Sequence, residues 1–208
     1  MQKAWVKLII IILFICFPVL LAAQQNNDDG PSIESDWEDF FSDLYMKGDQ
    51  AFIISLGTVF PGLFINNGEL IDPNFNPPVG GTGSLSYNYY LSSKYFIGGE
   101  IGGMFIHTLR KNTLFIVPLG LRAGTQYIYN RFEFPLTLTM GMTWHKYLDF
   151  GYYGFFMKAG GAALFRATSD WSFGLNTDLG WFPQWTDDKS RNVDGSFINV
   201  MLVARYHF

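Results

Sequence analysis

From Ala51 onward, apolar residues alternate with small or polar ones in steps of two, a period that predicts strands rather than helices. Eight segments carry it: 51–60, 80–91, 95–106, 113–128, 132–145, 154–166, 171–182 and 197–208. The last is the clearest. Ile198, Val200, Leu202, Ala204, Tyr206 and Phe208 share one face, wholly apolar or aromatic. Phe197, Asn199, Met201, Val203, Arg205 and His207 share the other, which is mixed. Connections alternate in character as well. Those at 92–94, 129–131 and 167–170 are tight, whereas 61–79, 107–112, 146–153 and 183–196 are longer and mostly polar. This rhythm predicts an all-β fold, an eight-stranded antiparallel up-and-down barrel over 51–208.

Alternation alone does not say which face is inside, but volume does. One face carries Phe52, Ile54, Leu56, Leu85, Ile101, Leu119, Leu121, Leu136, Met140, Met142, Leu175 and Leu179. The other carries Thr82, Ser84, Gly98, Gly102, Gly120, Gly124, Thr139, Gly160 and Gly174. An eight-stranded barrel is only wide enough for side chains to fill, so the bulky face is expected to point outward, into lipid. Aromatics gather near both ends of that face: Tyr89, Tyr95, Tyr127, Phe132, Trp171 and Tyr206 at one, Phe60, Phe105, Phe115, Trp144, Phe155 and Trp181 at the other. Such girdles suit bilayer interfaces. Pro118 and Pro135 each remove a ladder donor, and a bulge or local distortion is expected at Pro118.

The segment before the barrel adds a destination. Lys3 and Lys7 precede an apolar run from Leu8 to Leu21, and Ala22-Ala23 offers small residues for cleavage, so 1–23 is expected to be a signal peptide. The chain has 14 basic and 18 acidic residues; losing Lys3 and Lys7 leaves 12 against 18, a net charge of −6. That balance argues against nucleic acid as a partner. It would also remove Cys16, leaving neither disulfides nor thiol chemistry. Residues 24–50 form an acidic extension holding eight of the 18 acids. Ser35-Asp36-Trp37-Glu38 looks like a capping box, and Trp37, Phe40, Phe41, Leu44 and Tyr45 follow at helical spacing, predicting a short amphipathic helix on the barrel rim or membrane surface.

Four ionisable residues fall on the inward face in mid-strand: Glu100, Arg122, Lys158 and Asp178. Their spacing about the intervening loops predicts two cross-strand pairs of opposite charge, a network that plugs the lumen or gates it. Glu133, Arg166 and Arg205 also face inward, but nearer strand ends where water is expected to reach them. With the strand count, the terminal Phe208 and this quartet, residues 51–208 resemble the small outer-membrane barrels of the OmpA transmembrane-domain, OmpX and OmpW type. The resemblance implies residence in outer-membrane lipid, a periplasmic extension, and delivery by the barrel assembly machinery, with Tyr206 and Phe208 as its signal. Anchoring to the cell wall through a downstream domain, as in the OmpA type, is not among the expectations.

Three functions follow as expectations. The first is a non-enzymatic barrel with a structural, surface-interaction or small-solute conduit role. The alternative is a lipid-modifying enzyme, which needs a His or Ser with a proton-transfer partner. No His-x-Ser step exists at His107, His145 or His207, which weakens it. The third is a receptor acting through loop 61–79, with Asn66-Asn67-Gly68 and Pro73, Pro77 and Pro78, or through loop 183–196. Asp187-Asp188 there would draw a cation but for Lys189 and Arg191, so neither metal nor cofactor is expected and the ligand stays open.

Overall fold

Side chains that alternate in size and polarity produce staves that alternate between two environments. In the computed structural model the described residues are 45–66, 69–70, 79–107, 113–147, 150–183 and 193–208. They form β1 (Gln50–Asn66), β2 (Glu69–Leu70), β3 (Gly80–Tyr90), β4 (Tyr95–His107) and β5 (Thr113–Tyr129). β6 (Phe132–Tyr147), β7 (Phe150–Arg166), β8 (Trp171–Pro183) and β9 (Val193–His207) follow. Each long strand pairs antiparallel with the next, and β9 returns to β1, from Ala51↔His207 to Asn66↔Val193, closing an eight-stave barrel. β2 merely doubles the end of β1, through Ile65↔Leu70 and Asn66↔Glu69. The helix expected from the capping box at Ser35 through Tyr45 lies outside the described residues except for Tyr45 itself.

Expectations about length need correction at three places, one being β9, which begins at Val193 and not at 197. β1 does not stop at Phe60: Pro61 and Gly62 perturb it, but pairing with β9 resumes after an irregularity between Pro61 and Phe64. One extra residue on β1 absorbs the donor that proline lacks, as bulges do. The supposed loop 146–153 is mostly ladder, since Lys146↔Gly151 and Tyr147↔Phe150 continue the β6–β7 hairpin. Polar residues there signal strand beyond the apolar band, not loop. At Pro118 the ladder to β4 skips from Ile101↔Leu119 to Met104↔Ile116 with register unchanged, so the distortion is a gap without a bulge. Pro135 leaves the same gap against β7, between Glu133↔Leu164 and Leu136↔Gly161. Turn chemistry is conventional at Asn130, whose φ of 51° is one that Asn tolerates.

The outward face is bulky and bare. Leu121 is 76% exposed, Leu202 70%, Met142 and Leu56 65%, and Phe52, Ile101, Leu136, Leu175 and Leu179 stand on the same surface. Covering each such side chain contributes roughly 1.5–3 kcal/mol, and the fold leaves a continuous belt of them uncovered. Water is a poor match for such a belt. The two aromatic sets fall at opposite ends of the same face, with Trp171 and Tyr206 in contact at a ring distance of 5.0 Å.

Inside, volume is shared more unevenly than the sequence suggests. Phe156, Phe182, Phe197, Met104, Ile106, Ile116 and Val59 point inward and form an apolar cluster at the end bearing the long connections. They fit because glycines make room: a Cβ on Gly120, two staves away, would lie 2.8 Å from the Phe156 ring, and one on Gly180 would lie 2.6 Å from the Phe182 ring.

Candidate functional site

Four charged groups meet at mid-height. Arg122 Nη1 donates to Glu100 Oε2 at 3.3 Å, and Ser86 Oγ donates to the same oxygen at 3.3 Å. Lys158 Nζ donates to Glu100 Oε1 and stands 3.9 Å from Asp178 Oδ2. Asn199 Nδ2 completes the row, donating to Asp178 Oδ1 at 2.5 Å. All four charged groups are largely withdrawn from solvent. The register differs from the two facing pairs read from the sequence. Glu100 is opposite Gly120 and Arg122 opposite Gly98, while Lys158 faces Gly180 and Asp178 faces Gly160. Each charge therefore lies over a glycine and reaches its partner diagonally, and Glu100 on β4 meets Lys158 on β7 across the bore. The result is one chain of charges, Arg122–Glu100–Lys158–Asp178, instead of two separate pairs.

A second network sits at the end bearing the tight turns, and here the sequence reading was wrong. Glu133, Arg166 and Arg205 are not reached by water: they are 1%, 3% and 1% exposed. Glu133 Oε2 accepts from Arg205 Nη1 at 2.9 Å, and Glu133 Oε1 pairs with Arg166 Nε at 3.1 Å and accepts from Ser172 Oγ at 3.1 Å. Arg205 also donates to Gln126 Oε1 at 3.1 Å, which Tyr90 OH meets at 3.0 Å.

Tyr45 is what excludes the water. It precedes β1, folds under the barrel end, and is 3% exposed. Its hydroxyl donates to Glu133 Oε2 at 2.8 Å and accepts from Arg166 Nη2 at 3.1 Å, while the Arg166 guanidinium lies 4.9 Å from its ring centre. His207 Nδ1 is 3.3 Å from the same hydroxyl, and its Nε2 is 2.9 Å from Ser172 Oγ. Burial pushes the Tyr45 hydroxyl well above its ordinary value, Tyr90 adding to that and Arg205 opposing it, so it stays a proton donor. Backbone bonds hold the approach. Gly48 N donates to Tyr90 O at 2.9 Å and Tyr90 N to Asp49 O at 2.9 Å, with Gly48 at φ 110°, a conformation that glycine adopts freely. Helical spacing places Tyr45 on the apolar face of a helix resting on the barrel rim or membrane surface, whereas its hydroxyl bonds Glu133 inside the barrel end; a single inserted residue leaves no periodic signal.

The other named residues fall as follows. Tyr206 and Phe208 point outward with ring centres 5.9 Å apart, and Phe208 N and O both bond Gln50 at 3.1 Å. His145 points inward against the rings of Tyr152 at 5.8 Å and Phe182 at 6.1 Å, and its Nε2 has no hydrogen-bond partner. Among the described residues no group of His, Cys, Asp and Glu is arranged to hold a metal ion. Asn67, Gly68, Pro73, Pro77, Pro78, Asp187, Asp188, Lys189 and Arg191 lie outside the described residues.

A protein-family model without a functional description matches residues 24–206. The chain belongs to that family. An uncharacterised protein of Treponema pallidum (strain Nichols) is 29% identical over 132 residues, 62% of this chain and 59% of that protein, so the chain spans well under two thirds of its relative. Among solved structures, Neisserial surface protein A superposes with a TM-score of 0.55 and 6% identity, over 76% of this chain and 99% of that one. OprG of Pseudomonas aeruginosa gives 0.48 and 10%, over 79% and 97%. At such identities the likeness to Neisserial surface protein A speaks for architecture: the fold is that of the small outer-membrane β-barrels.

Proposed function

We propose that this is an integral outer-membrane protein, exported by the signal segment 1–23, whose sealed, non-enzymatic barrel holds loops at the cell surface in a structural or surface-interaction role. The tight turns then face the periplasm and the long connections face outward. Outer-membrane lipid is the partner of the apolar belt, and the assembly machinery reads Tyr206 and Phe208 at the end of the last strand. The family match begins at residue 24, where the expected cleavage would leave the mature chain.

One observation carries the non-conducting reading. The bore is blocked three times over, by the aromatic cluster, the mid-height charges and the Tyr45 cap. Between the two charged layers only about 20 Å³ is open to a water centre, room for about one molecule. A small-solute conduit would need all three layers to move. Purified protein in planar bilayers is expected to give baseline conductance; large, steady wild-type openings would refute the sealed-lumen reading.

A further inference from the structure

The lumen holds an uneven charge count. Among the described lumen-facing side chains, Arg122, Lys158, Arg166 and Arg205 stand against only Glu100, Glu133 and Asp178. Histidine cannot supply the missing negative charge, and Lys158 is already tied to two carboxylates. The excess therefore rests on guanidinium groups, which do not deprotonate in proteins and carry donors only. Two of those donors are unspent: Arg122 Nε and Arg205 Nε are buried and have no hydrogen-bond acceptor. Arg205 is 1% exposed, so an uncompensated charge there is costly. Both arginines line the same cavity of about 20 Å³, together with Ser55 and Ser84, and each lies within the other's electric field.

We propose that this cavity binds one small monovalent anion of chloride's size and charge, held by the Nε–H groups of Arg122 and Arg205. Its volume excludes carboxylates and phosphates and admits about one atom-sized guest. The anion makes the charge count even and gives both orphaned donors an acceptor, which water does only in part.

The test uses the full-length folded protein in detergent. Thermal unfolding is followed as sodium chloride or bromide replaces sodium gluconate at constant ionic strength, and crystals grown in bromide are examined for anomalous scattering. The expected result is a saturable rise in Tm with halide and a bromide peak between Arg122 and Arg205. Ser84→Asp places a carboxylate on the cavity wall, and Arg122→Gln removes the surplus charge; each folded variant should lose both the peak and the halide dependence. A wild type whose Tm ignores halide, with no bromide peak, means an ordered water only and overturns the proposal. So does a folded Ser84→Asp protein that keeps both signals. Should both variants fail to fold, the wild-type measurements decide alone.

Discussion

Glu133→Gln is the sharpest test of the turn-end network. The carboxylate is 1% exposed and meets four donors: Tyr45 OH, Ser172 Oγ, Arg166 and Arg205. Glutamine keeps the shape but removes the charge, and its amide NH2 is turned against groups that themselves donate. Two guanidinium groups are then left buried without a counter-ion. Removing one partner of a buried pair costs about 3–5 kcal/mol, and the near-total burial leaves no solvent screening to reduce it. Against a typical net stability of about 5–15 kcal/mol, that is a large share. Withdrawing a positive charge should restore part of it, so Arg166→Gln added to Glu133→Gln is expected to couple favourably by about 1–3 kcal/mol. Urea unfolding from phospholipid vesicles, read by tryptophan fluorescence and by heat-modifiable gel mobility, measures both. A loss below about 1 kcal/mol, or simple additivity in the double variant, would mean that water reaches this cluster and that Tyr45 does not seal it.

Two further predictions separate inside from outside. Gly120→Ala brings a Cβ within 2.6 Å of Met140 O and 2.8 Å of the Phe156 ring, so it should cost about 1–3 kcal/mol of unfolding free energy. Gly103→Ala, whose Cβ meets nothing within 4 Å, should stay near wild type in the same titration; equal losses at the two sites would contradict the packing described. Leu121→Arg, on the barest part of the belt, should cost about 2–4 kcal/mol in a bilayer, and a neutral result would deny that this face meets lipid.

The parity of the strands was legible because lipid and lumen impose opposite demands on alternate residues. Leu202 and Val203, or Leu121 and Arg122, differ in environment by one step along the chain. The same rule brought Glu100, Arg122, Lys158 and Asp178 to a common height. Exact pairing was not legible, since a two-residue slip keeps every side chain on its own face while changing its neighbour. Facing glycines, at Gly98, Gly120, Gly160 and Gly180, are what turn the slip into diagonal contact. Strand ends were least readable. Beyond the hydrocarbon band nothing requires apolar residues, so Lys146 and Gly151 looked like loop while remaining in the ladder. Large inward rings such as Phe156 were missed for a related reason: Phe156 needs the room left by Gly120 two staves away, a relation that volume counted along one segment cannot reveal.

The cap at the turn end has a consequence for how the molecule is made. Tyr45 and His207 touch across 162 positions of chain, and Glu133 and Arg166 wait between them. The Tyr45–His207 contact cannot form while the first and final staves are apart, so it rewards completion and nothing earlier. A cylinder joined one residue out of step would leave Arg205 facing the wrong way and the tyrosine without its acceptor. The mouth of the barrel thus proofreads the seam: only a correctly sewn product is locked.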